Sequence, residues 1–148
     1  MVDLGILIVS WNVRDLLAEC LASVIGARTS KAGLQHLTVE IMVVDNASQD
    51  GSADLVRERF SRVRVIASDK NLGFAGGNNA GLRAWGLDHP HSALDAPRYV
   101  LLLNPDTVVR GNALDTLVRF MDATRQAGVC GARLVYGDGS FQHSAFGF

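Results

Sequence analysis

Short apolar runs alternate along the chain with longer stretches in which apolar residues recur every three or four positions. The runs are rich in β-branched residues, as in strands that are buried on both faces. They cover residues 4–9, 39–44, 63–66, 99–103 and 129–135. The helical stretches cover about 13–25, 55–60, 79–86 and 112–126. Strands that alternate with helices predict an α/β fold, with a mostly parallel sheet flanked by helices.

Polar residues between these elements predict where the first two helices begin and end. Asn12 is expected to cap the first helix, because a short polar side chain at the start of a helix accepts a hydrogen bond from a backbone N–H of the first turn. Gly26 and the polar residues 28–33 are expected to end it. Ser48 and Asp50 are expected to cap the second helix after an Asx turn.

Composition narrows the class of protein. The 148 residues are about one domain's length, and 48% hydrophobic with 20% charged residues is typical of a globular protein. A net charge of -1 and only two lysines argue against binding to nucleic acid or anionic lipid. The acid in Met1-Val2-Asp3 argues against a secretory signal, and no apolar run reaches the roughly 20 residues of a membrane span. Cys20 and Cys130 favour buried reduced thiols, so a cytoplasmic protein is expected.

The polar segments that follow three of the strands hold the candidate chemistry. They are Ser10-Trp11-Asn12, Asp45 to Asp50, and Asn104-Pro105-Asp106. Ligands of open α/β sheets bind outside the carboxyl ends of the strands, so all three belong to one candidate site. Asp45 directly follows an apolar strand, where a buried carboxylate is costly unless a ligand or a hydrogen-bond partner satisfies it. Asp106 suits Mg²⁺ or Mn²⁺, which take few carboxylates and complete their shell with phosphate oxygens.

Each of these segments also has a structural interpretation. Trp11 taken alone is typical of a core aromatic, and Asp106 of a residue that caps the next turn. The glycine-rich stretch 71–79 is expected to be a loop before a helix, serving either as a turn or as a phosphate site. His89-Pro90-His91 is expected to lie in a solvated surface connection over 89–97, and His143 to be structural.

Four blocks together resemble the family 2 glycosyltransferases, and more narrowly their rhamnosyltransferase-like members. The blocks are 9–12 (VSWN), 43–51 (VVDNASQDG), 71–79 (NLGFAGGNN) and 102–106 (LLNPD). The stretch 138–144 (DGSFQHS) is also similar to the one that follows the last strand in such enzymes. The resemblance implies a GT-A fold, a nucleotide-sugar donor, a saccharide or lipid-linked acceptor, and inverting transfer in the making of cell-envelope polysaccharide.

The resemblance also implies a set of site residues. Those of the donor site are Ser10, Trp11, Asn12, Asp45, Asn46, Asn71, Gly73, Asn78, Asn79 and Asn104. Asp106 is implied as the ligand of a divalent cation, Mg²⁺ or Mn²⁺, with Asn104 in place of the first acid of the family's Asp-x-Asp motif. A cytoplasmic location, with peripheral association at the inner membrane face, fits such an enzyme.

The length predicts that residues 1–148 are the nucleotide-sugar-binding part of a GT-A domain, because members of this family carry a further half with the acceptor site and the catalytic base. No base is assigned: Asp138 lies in a turn, and His143 has no carboxylate beside it in the sequence. A natural short gene, a truncated reading frame and an excised segment remain open, and a homodimer would cover an unpaired strand edge. The alternatives are a non-catalytic nucleotide-binding module and a sugar-nucleotide nucleotidyltransferase, although the first loop lacks the basic glycine-rich sequence of the latter.

Overall fold

The computed structural model describes residues 2–29, 37–88 and 96–143, and side chains of the first range to residue 27. Strands and helices alternate as the hydrophobic pattern predicts. In chain order they are β1 (Leu4–Ser10), α1 (Arg14–Thr29), β2 (Val39–Asp45), α2 (Ser52–Arg59), β3 (Val63–Ala67), α3 (Gly73–Ala84), β4 (Tyr99–Leu103), α4 (Ala113–Ala123), β5 (Leu134–Val135) and β6 (Phe141–Gln142). The predicted connection at 89–97, with His89-Pro90-His91, lies almost entirely outside the described residues.

The first four strands form one parallel sheet in the order β3-β2-β1-β4. The chain moves outward from β1 to β3 and then crosses to the other side of β1 to form β4. The order therefore reverses at β1, and the carboxyl ends of β1 and β4 flank the point where open α/β sheets bind ligands. The predicted fold class, a mostly parallel sheet flanked by helices, is confirmed.

The sheet is covered by helices on both faces, which explains why β1 is apolar as far as its last residue, Ser10. Side chains from alternate positions of β1 enter two separate cores. Ile6 and Ile8 pack with residues of α1, α2 and α4 on one face, whereas Leu7 and Val9 pack with β2 and Trp85 on the other. Each of the four side chains is at most 9% exposed. A strand that is buried on both faces cannot show the polar–apolar alternation of a surface strand.

Glycines let α3 approach the sheet closely. A Cβ on Gly77 would stand 2.6 Å from Cγ1 of Val9, and one on Gly81 would overlap the end of the Leu7 side chain. Most of the glycine-rich stretch is the first turns of α3, so the expectation of a loop over 71–79 was wrong beyond Leu72. The physical reason is that two glycines four residues apart share one helix face, which here contacts a strand.

The structure corrects four boundaries. Helix α1 continues through Gly26, and α4 ends at Ala123, three residues before the predicted end. Helix α3 begins at Gly73 and not near residue 79. The strand predicted over 129–135 is reduced to Leu134–Val135, which pairs with β6 in an antiparallel hairpin and not with the main sheet. Residues 129–133 are half-buried or exposed, and among the described residues they pair with no strand that would hold them extended.

Within the described ranges, no helix is both long and apolar enough to cross a membrane.

Candidate functional site

The candidate site begins where β1 and β2 end side by side. Ser10 and Asp45 are paired in register on these neighbouring strands, so their side chains project from the same face of the sheet. Trp11 follows at once and is 55% exposed. The interpretation of Trp11 as a core aromatic was wrong, because the chain leaves the sheet at this residue and carries the indole into solvent.

Asp45 and Ser10 are buried, yet each has one polar atom without a hydrogen-bond partner among the described residues. Oδ2 of Asp45 accepts a hydrogen bond from the backbone N–H of Ser48 at 3.0 Å, whereas Oδ1 has none. The hydroxyl of Ser10 also has none. The two residues are 3% and 0% exposed. Since a buried polar group without a partner is costly, this pair marks a place where a ligand or water is expected to bind.

Asn12 binds the neighbouring loop and does not cap α1. Its backbone N–H donates to Oγ of Ser48 at 3.0 Å, and its Oδ1 accepts from the N–H of Gln49 at 2.8 Å. Its φ of 52° lies in the left-handed region, which Asn tolerates better than most residues. The capping roles predicted for Asn12 and Ser48 were therefore wrong, since these two residues join the β1–α1 loop to the β2–α2 loop.

Asp50 satisfies the first turns of two helices. Its Oδ1 accepts from the N–H of Ser52, the first residue of α2, at 3.0 Å, and its Oδ2 accepts from the N–H of Arg14 in α1 at 2.9 Å. The N-cap position of α2 is Gly51 and not Asp50, so the predicted cap was wrong by one residue, although Asp50 does satisfy the first N–H of the helix. Burial alone raises the pKa of Asp50, but the hydrogen bonds from Ser52 and Arg14 outweigh it, so the pKa lies below its ordinary value. The same carboxylate therefore holds both helices at this edge of the sheet.

Asn46 holds the loop that follows β3. Its Nδ2 donates to Oδ1 of Asn71 at 2.9 Å and to the carbonyl of Gly73 at 3.2 Å. Its Oδ1 accepts from the N–H of Leu72 at 2.8 Å. The residue is only 3% exposed. These bonds occupy the amide, so the structure gives Asn46 the role of positioning the loop.

The other candidates at the start of α3 differ in exposure. Asn71 and Gly73 are exposed, and Gly73 takes a φ of 70°, which favours glycine. Asn78 is buried and donates to the carbonyl of Phe74, four residues earlier, at 2.9 Å. Asn79 lies beside it and is exposed. Asn71, Gly73 and Asn79 are thus accessible to a ligand, while Asn78 stabilises the first turn of the helix.

Ala47 has a strained backbone. It lies between the buried Asp45 and Ser48, whose side chain binds the backbone of Asn12. Its φ of 63° places a residue with a Cβ in the left-handed region, at a cost of about 1–2 kcal/mol. Such conformations persist where surrounding bonds impose them, and they concentrate at functional sites. The strain lies in the same turn as the partnerless Asp45 oxygen.

At the end of β4, the side chains of Asn104 and Asp106 are both exposed. The turn is closed by Thr107, whose hydroxyl donates to the Asn104 carbonyl at 2.7 Å and whose N–H does so at 3.3 Å. No group of three or more ligating side chains gathers anywhere in the described part of the chain. One accessible carboxylate fits a cation that completes its shell with water and phosphate oxygens, but not one held by protein alone.

The thiol of Cys20 lies beneath this turn. It is fully buried, and its Sγ stands 3.6 Å from the Asn104 carbonyl oxygen. Burial raises the pKa of Cys20 to about 11, with a further rise from Asp106 and a lowering from Thr107, so the thiol is protonated at neutral pH. The expectation of a buried reduced thiol is confirmed for Cys20, whereas Cys130 is free but only partly buried.

Neither weak candidate for a catalytic base lies in a buried environment. Asp138 sits in the exposed turn of the β5–β6 hairpin, where its carboxylate accepts hydrogen bonds from the Ser140 hydroxyl and N–H. These bonds hold the pKa of Asp138 below its ordinary value, which weakens it as a base. His143 is exposed and packs edge-on against Phe141.

Sequence reasoning missed the supporting residues of this edge. Ser48 and Asp50 were assigned only to the following helix, and Cys20 and Ser23 received no role, although all four hold loops that carry site candidates. One signal was present in the sequence: Asp50-Gly51-Ser52 is a polar turn that a single helix cap does not fully explain. The bonds of Cys20 and Ser23 join residues more than 80 positions apart, which no local pattern indicates.

Comparison with known proteins gives relatives of one kind. The succinoglycan biosynthesis protein ExoO of Rhizobium meliloti (strain 1021) is 29% identical over 122 residues, which are 82% of this chain and 30% of that protein. The crystal structure of S. aureus TarS 1-349 matches with a TM-score of 0.63 and 19% identity, over 83% of this chain and 33% of that one. The mannosyltransferase PcManGT from Pyrobaculum calidifontis, in complex with GDP-Man and Mn²⁺, matches with a TM-score of 0.63 and 19% identity, over 80% of this chain and 32% of that one.

The chain thus spans about a third of the length of each of these relatives. The structural matches confirm the GT-A-type fold that the four sequence blocks imply. The model of the family described as "Glycosyl transferase family 2" matches residues 5–145, which include every candidate site residue. The chain therefore belongs to the family 2 glycosyltransferases.

Proposed function

We propose that residues 1–148 are the donor-binding part of a family 2 glycosyltransferase domain, and that a nucleoside diphosphate sugar binds at the carboxyl edge of the sheet. The observation that carries the proposal is the buried pair at the ends of β1 and β2, with Oδ1 of Asp45 and the hydroxyl of Ser10 both lacking partners among the described residues. A nucleoside supplies both donors and acceptors for such a pair. TarS has been crystallised with UDP and with UDP-GlcNAc, and PcManGT with GDP-Man, which supports this class of ligand.

The candidates differ in exposure, and we assign them different roles on that basis. Ser10, Trp11 and Asp45 face the nucleoside, with the exposed indole as a surface on which a base can stack. Asn12 belongs to the same side of the site, where it holds the β1–α1 and β2–α2 loops together. Asn71, Gly73 and Asn79 are accessible at the start of α3 and lie toward the ribose and diphosphate. Asn46 and Asn78 act indirectly, by holding that loop and helix in place.

Asp106 is the proposed ligand of a divalent cation, Mg²⁺ or Mn²⁺, with Asn104 as a secondary contact. PcManGT was solved with Mn²⁺, and the exposed position of Asp106 allows a cation to be shared with the donor diphosphate. Such a cation, when bound, stabilises the negative charge of the departing nucleoside diphosphate. The chain's own part is to present one carboxylate beyond the end of β4.

For the complete enzyme we propose inverting transfer. An acceptor hydroxyl of a saccharide or lipid-linked acceptor attacks the anomeric carbon, its proton passes to a base, and the nucleoside diphosphate leaves. We leave the base unassigned, and we expect this chain alone to give at most slow hydrolysis of the donor. The same proposal includes the rhamnosyltransferase-like branch and a role in making cell-envelope polysaccharide. It places the enzyme in the cytoplasm, with peripheral association at the inner membrane face. It also includes a homodimer that pairs two copies along β4, which is an edge strand among the described residues.

Calorimetric titration with UDP, dTDP and GDP tests the nucleoside site. Asp45→Asn keeps the shape of the side chain and an acceptor for Ser48, but it removes the charge. Together with Asp45→Ala it is expected to weaken binding by about 1–3 kcal/mol, the scale of a lost hydrogen bond to a charged group. Asp54→Asn is the matched control, because Asp54 is an exposed carboxylate of α2 that pairs with Arg57. If both Asp45 variants bind like the wild type while their circular dichroism is unchanged, the nucleoside site lies elsewhere.

Product analysis separates the activity from its alternatives. Incubation of the chain with a panel of sugar nucleotides, with and without Mn²⁺, is expected to release nucleoside diphosphate slowly. Binding with no release above the uncatalysed rate favours the non-catalytic module, whereas slow release above that rate favours the transferase. Formation of pyrophosphate with a nucleoside triphosphate and a sugar phosphate identifies a nucleotidyltransferase instead, and contradicts the proposal.

A further inference from the structure

The connection between β4 and α4 is attached to helix α1 at two points. Sγ of Cys20 stands 3.6 Å from the carbonyl oxygen of Asn104 and 4.0 Å from Oγ1 of Thr107. One turn further along α1, Oγ of Ser23 accepts a hydrogen bond from the backbone N–H of Val109 at 2.9 Å. The two contacts therefore bracket Asp106, one two residues before it and the other three residues after it.

The contacts of Cys20 and Ser23 belong to one hydrogen-bond network. The Ser23 hydroxyl donates to the carbonyl of Cys20 at 2.7 Å, so its lone pair is oriented toward the Val109 N–H. The Asn104 carbonyl accepts from the thiol of Cys20 and from both donors of Thr107. Every bond fixes backbone and none involves the Asp106 carboxylate itself, which is left exposed.

Helix α1 also starts at the other part of the candidate site. Arg14, its first residue, directly follows the loop of Trp11 and Asn12, and its N–H is bound by Asp50. One rigid helix of 16 residues thus begins at the nucleoside side and supports the Asp106 turn from its middle. A displacement of about 1 Å in such a support can cost on the order of 10²-fold in a reaction that depends on geometry.

We propose that Cys20 and Ser23 are positioning residues, which hold the 104–109 segment so that Asp106 meets a divalent cation shared with the diphosphate of the donor. This inference rests on the proposed function, because it assumes that Asp106 is the cation ligand. It assigns a task to two side chains of α1 that do not touch the ligand. Plain core packing is the competing explanation for Cys20, since its side chain is fully buried.

The experiment measures how much Mn²⁺ strengthens UDP or GDP binding to the 148-residue chain, whichever nucleotide binds more tightly. Cys20→Ala and Ser23→Ala are expected to reduce the strengthening about twofold to tenfold, the range of one lost hydrogen bond, and to leave metal-free affinity unchanged. Cys20→Ser replaces the thiol with a hydroxyl that can still donate to the Asn104 carbonyl, and Ser23→Thr keeps its hydroxyl. Both variants are expected to retain most of the strengthening. Cys130→Ala is the control, because that thiol lies near α4 and the 128–133 segment, away from the turn.

A packing role and a positioning role give different results. Loss of packing lowers thermal stability and weakens metal-free and metal-assisted binding together, and hydroxyl variants do not rescue it. In an Asp106→Asn background, Cys20→Ala is expected to have no further effect on the response to Mn²⁺, because it acts through Asp106. The electron paramagnetic resonance spectrum of bound Mn²⁺ is expected to change in the alanine variants and to return in the hydroxyl variants.

The outcomes separate this inference from the proposed function. If the wild type binds nucleotide but Mn²⁺ never strengthens binding, the cation site itself is wrong and the inference is overturned with it. If Mn²⁺ strengthens binding equally in wild type, Cys20→Ala and Ser23→Ala, only the inference is overturned. If Cys20→Ala fails to fold, Ser23→Ala and Cys20→Ser decide the question by the same measurement.

Discussion

The carboxyl ends of β1 and β4 are adjacent in the sheet, but they are built differently. At β1 the loop is joined to its neighbour by side-chain bonds in both directions, through Asn12 and Ser48, and the strand is buried at all seven positions. In β4 no residue is fully buried, and among the described residues this strand has a neighbour on one side only. The nucleoside side of the site, at β1 and β2, is therefore held by its own buried residues and loop-to-loop hydrogen bonds. The cation side, at the end of β4, depends on hydrogen bonds from α1.

This difference indicates how the two candidate subsites can fail. A change at a buried residue of β1, β2 or α3 is expected to lower both stability and ligand binding, because the same groups serve both. A change at the Asp106 turn is expected to disturb the cation while the fold persists. The predictions below test this contrast, beginning with the largest effect.

Two leucines that are partners in register give the most direct test. Leu7 of β1 is 0% exposed and Leu102 of β4 is 48% exposed, although they lie side by side on neighbouring strands. Leu7→Ala is expected to lower the free energy of unfolding by about 2–5 kcal/mol. Leu102→Ala is expected to lower it by less than about 1 kcal/mol. Urea denaturation measures both, and similar losses would contradict the contrast between a buried β1 and an exposed β4.

Asn46 tests whether the loop after β3 is held by one amide. Asn46→Ala removes the acceptor for the Leu72 N–H and the donor to Asn71 and Gly73, so a loss of about 2–3 kcal/mol in stability is expected. Asn79→Ala, on the exposed side of α3, is expected to stay within about 0.5 kcal/mol. Hydrogen exchange of residues 71–74 should rise in the first variant alone. A stable Asn46→Ala with unchanged exchange would remove Asn46 from the positioning role.

Gly77 tests the close approach of α3 to β1. Gly77→Ala places a Cβ against the stiff, buried side chain of Val9, and after the gain in helix propensity a net loss of about 1–2 kcal/mol is expected. Gly26→Ala is the matched control, because a Cβ on this helical glycine of α1 meets no atom of the described residues within 4 Å. That substitution is expected to stabilise by up to about 1 kcal/mol. Thermal unfolding compares the two, and opposite signs are the expected result.

Acid titration gives the smallest effect. The pKa of Asp50 is held below its ordinary value by the bonds from Ser52 and Arg14, and that of Asp138 by Ser140. Because both pKa values are lowered by folding, each contributes stability above the unfolded pKa of about 3.9, which is lost as the pH falls through the folded pKa.

Asp50→Asn is therefore expected to lower stability at neutral pH, with the difference from wild type shrinking toward acid. Asp138→Asn is expected to change global unfolding less, because its hairpin strands are two residues each and are paired only with each other in the described structure. Chemical denaturation between neutral pH and about pH 3 measures both. A larger acid-side effect from Asp138 would place the hairpin in the cooperative core.

Much of the fold could be predicted because the signal is local. The runs at residues 4–9 and 39–44 are strands since apolar β-branched segments of that length must be buried on both faces. The polar residues at the ends of these runs are brought to one edge by parallel pairing alone, so Asp45 and Ser10 were predictable as neighbours. Residues 129–133 were predicted as a strand from the same kind of signal, and the prediction was wrong, since within the described ranges they pair with no other strand and are half-buried or exposed.

The sequence by itself determined the alternation of elements, the parallel sheet and the polar edge that carries the family's blocks, because periodicity and strand-end polarity are properties of neighbouring residues. Only the tertiary structure decided the task of each side chain at that edge. Trp11 faces solvent, and Asn46 holds the loop after β3. Gly77 lets α3 pack closely against β1, and Cys20 lies beneath the Asp106 turn. Each of these roles depends on a contact between residues far apart in the chain, or on the point where the chain leaves the sheet. Both are set by how the helices pack on the sheet, which a local sequence pattern does not specify.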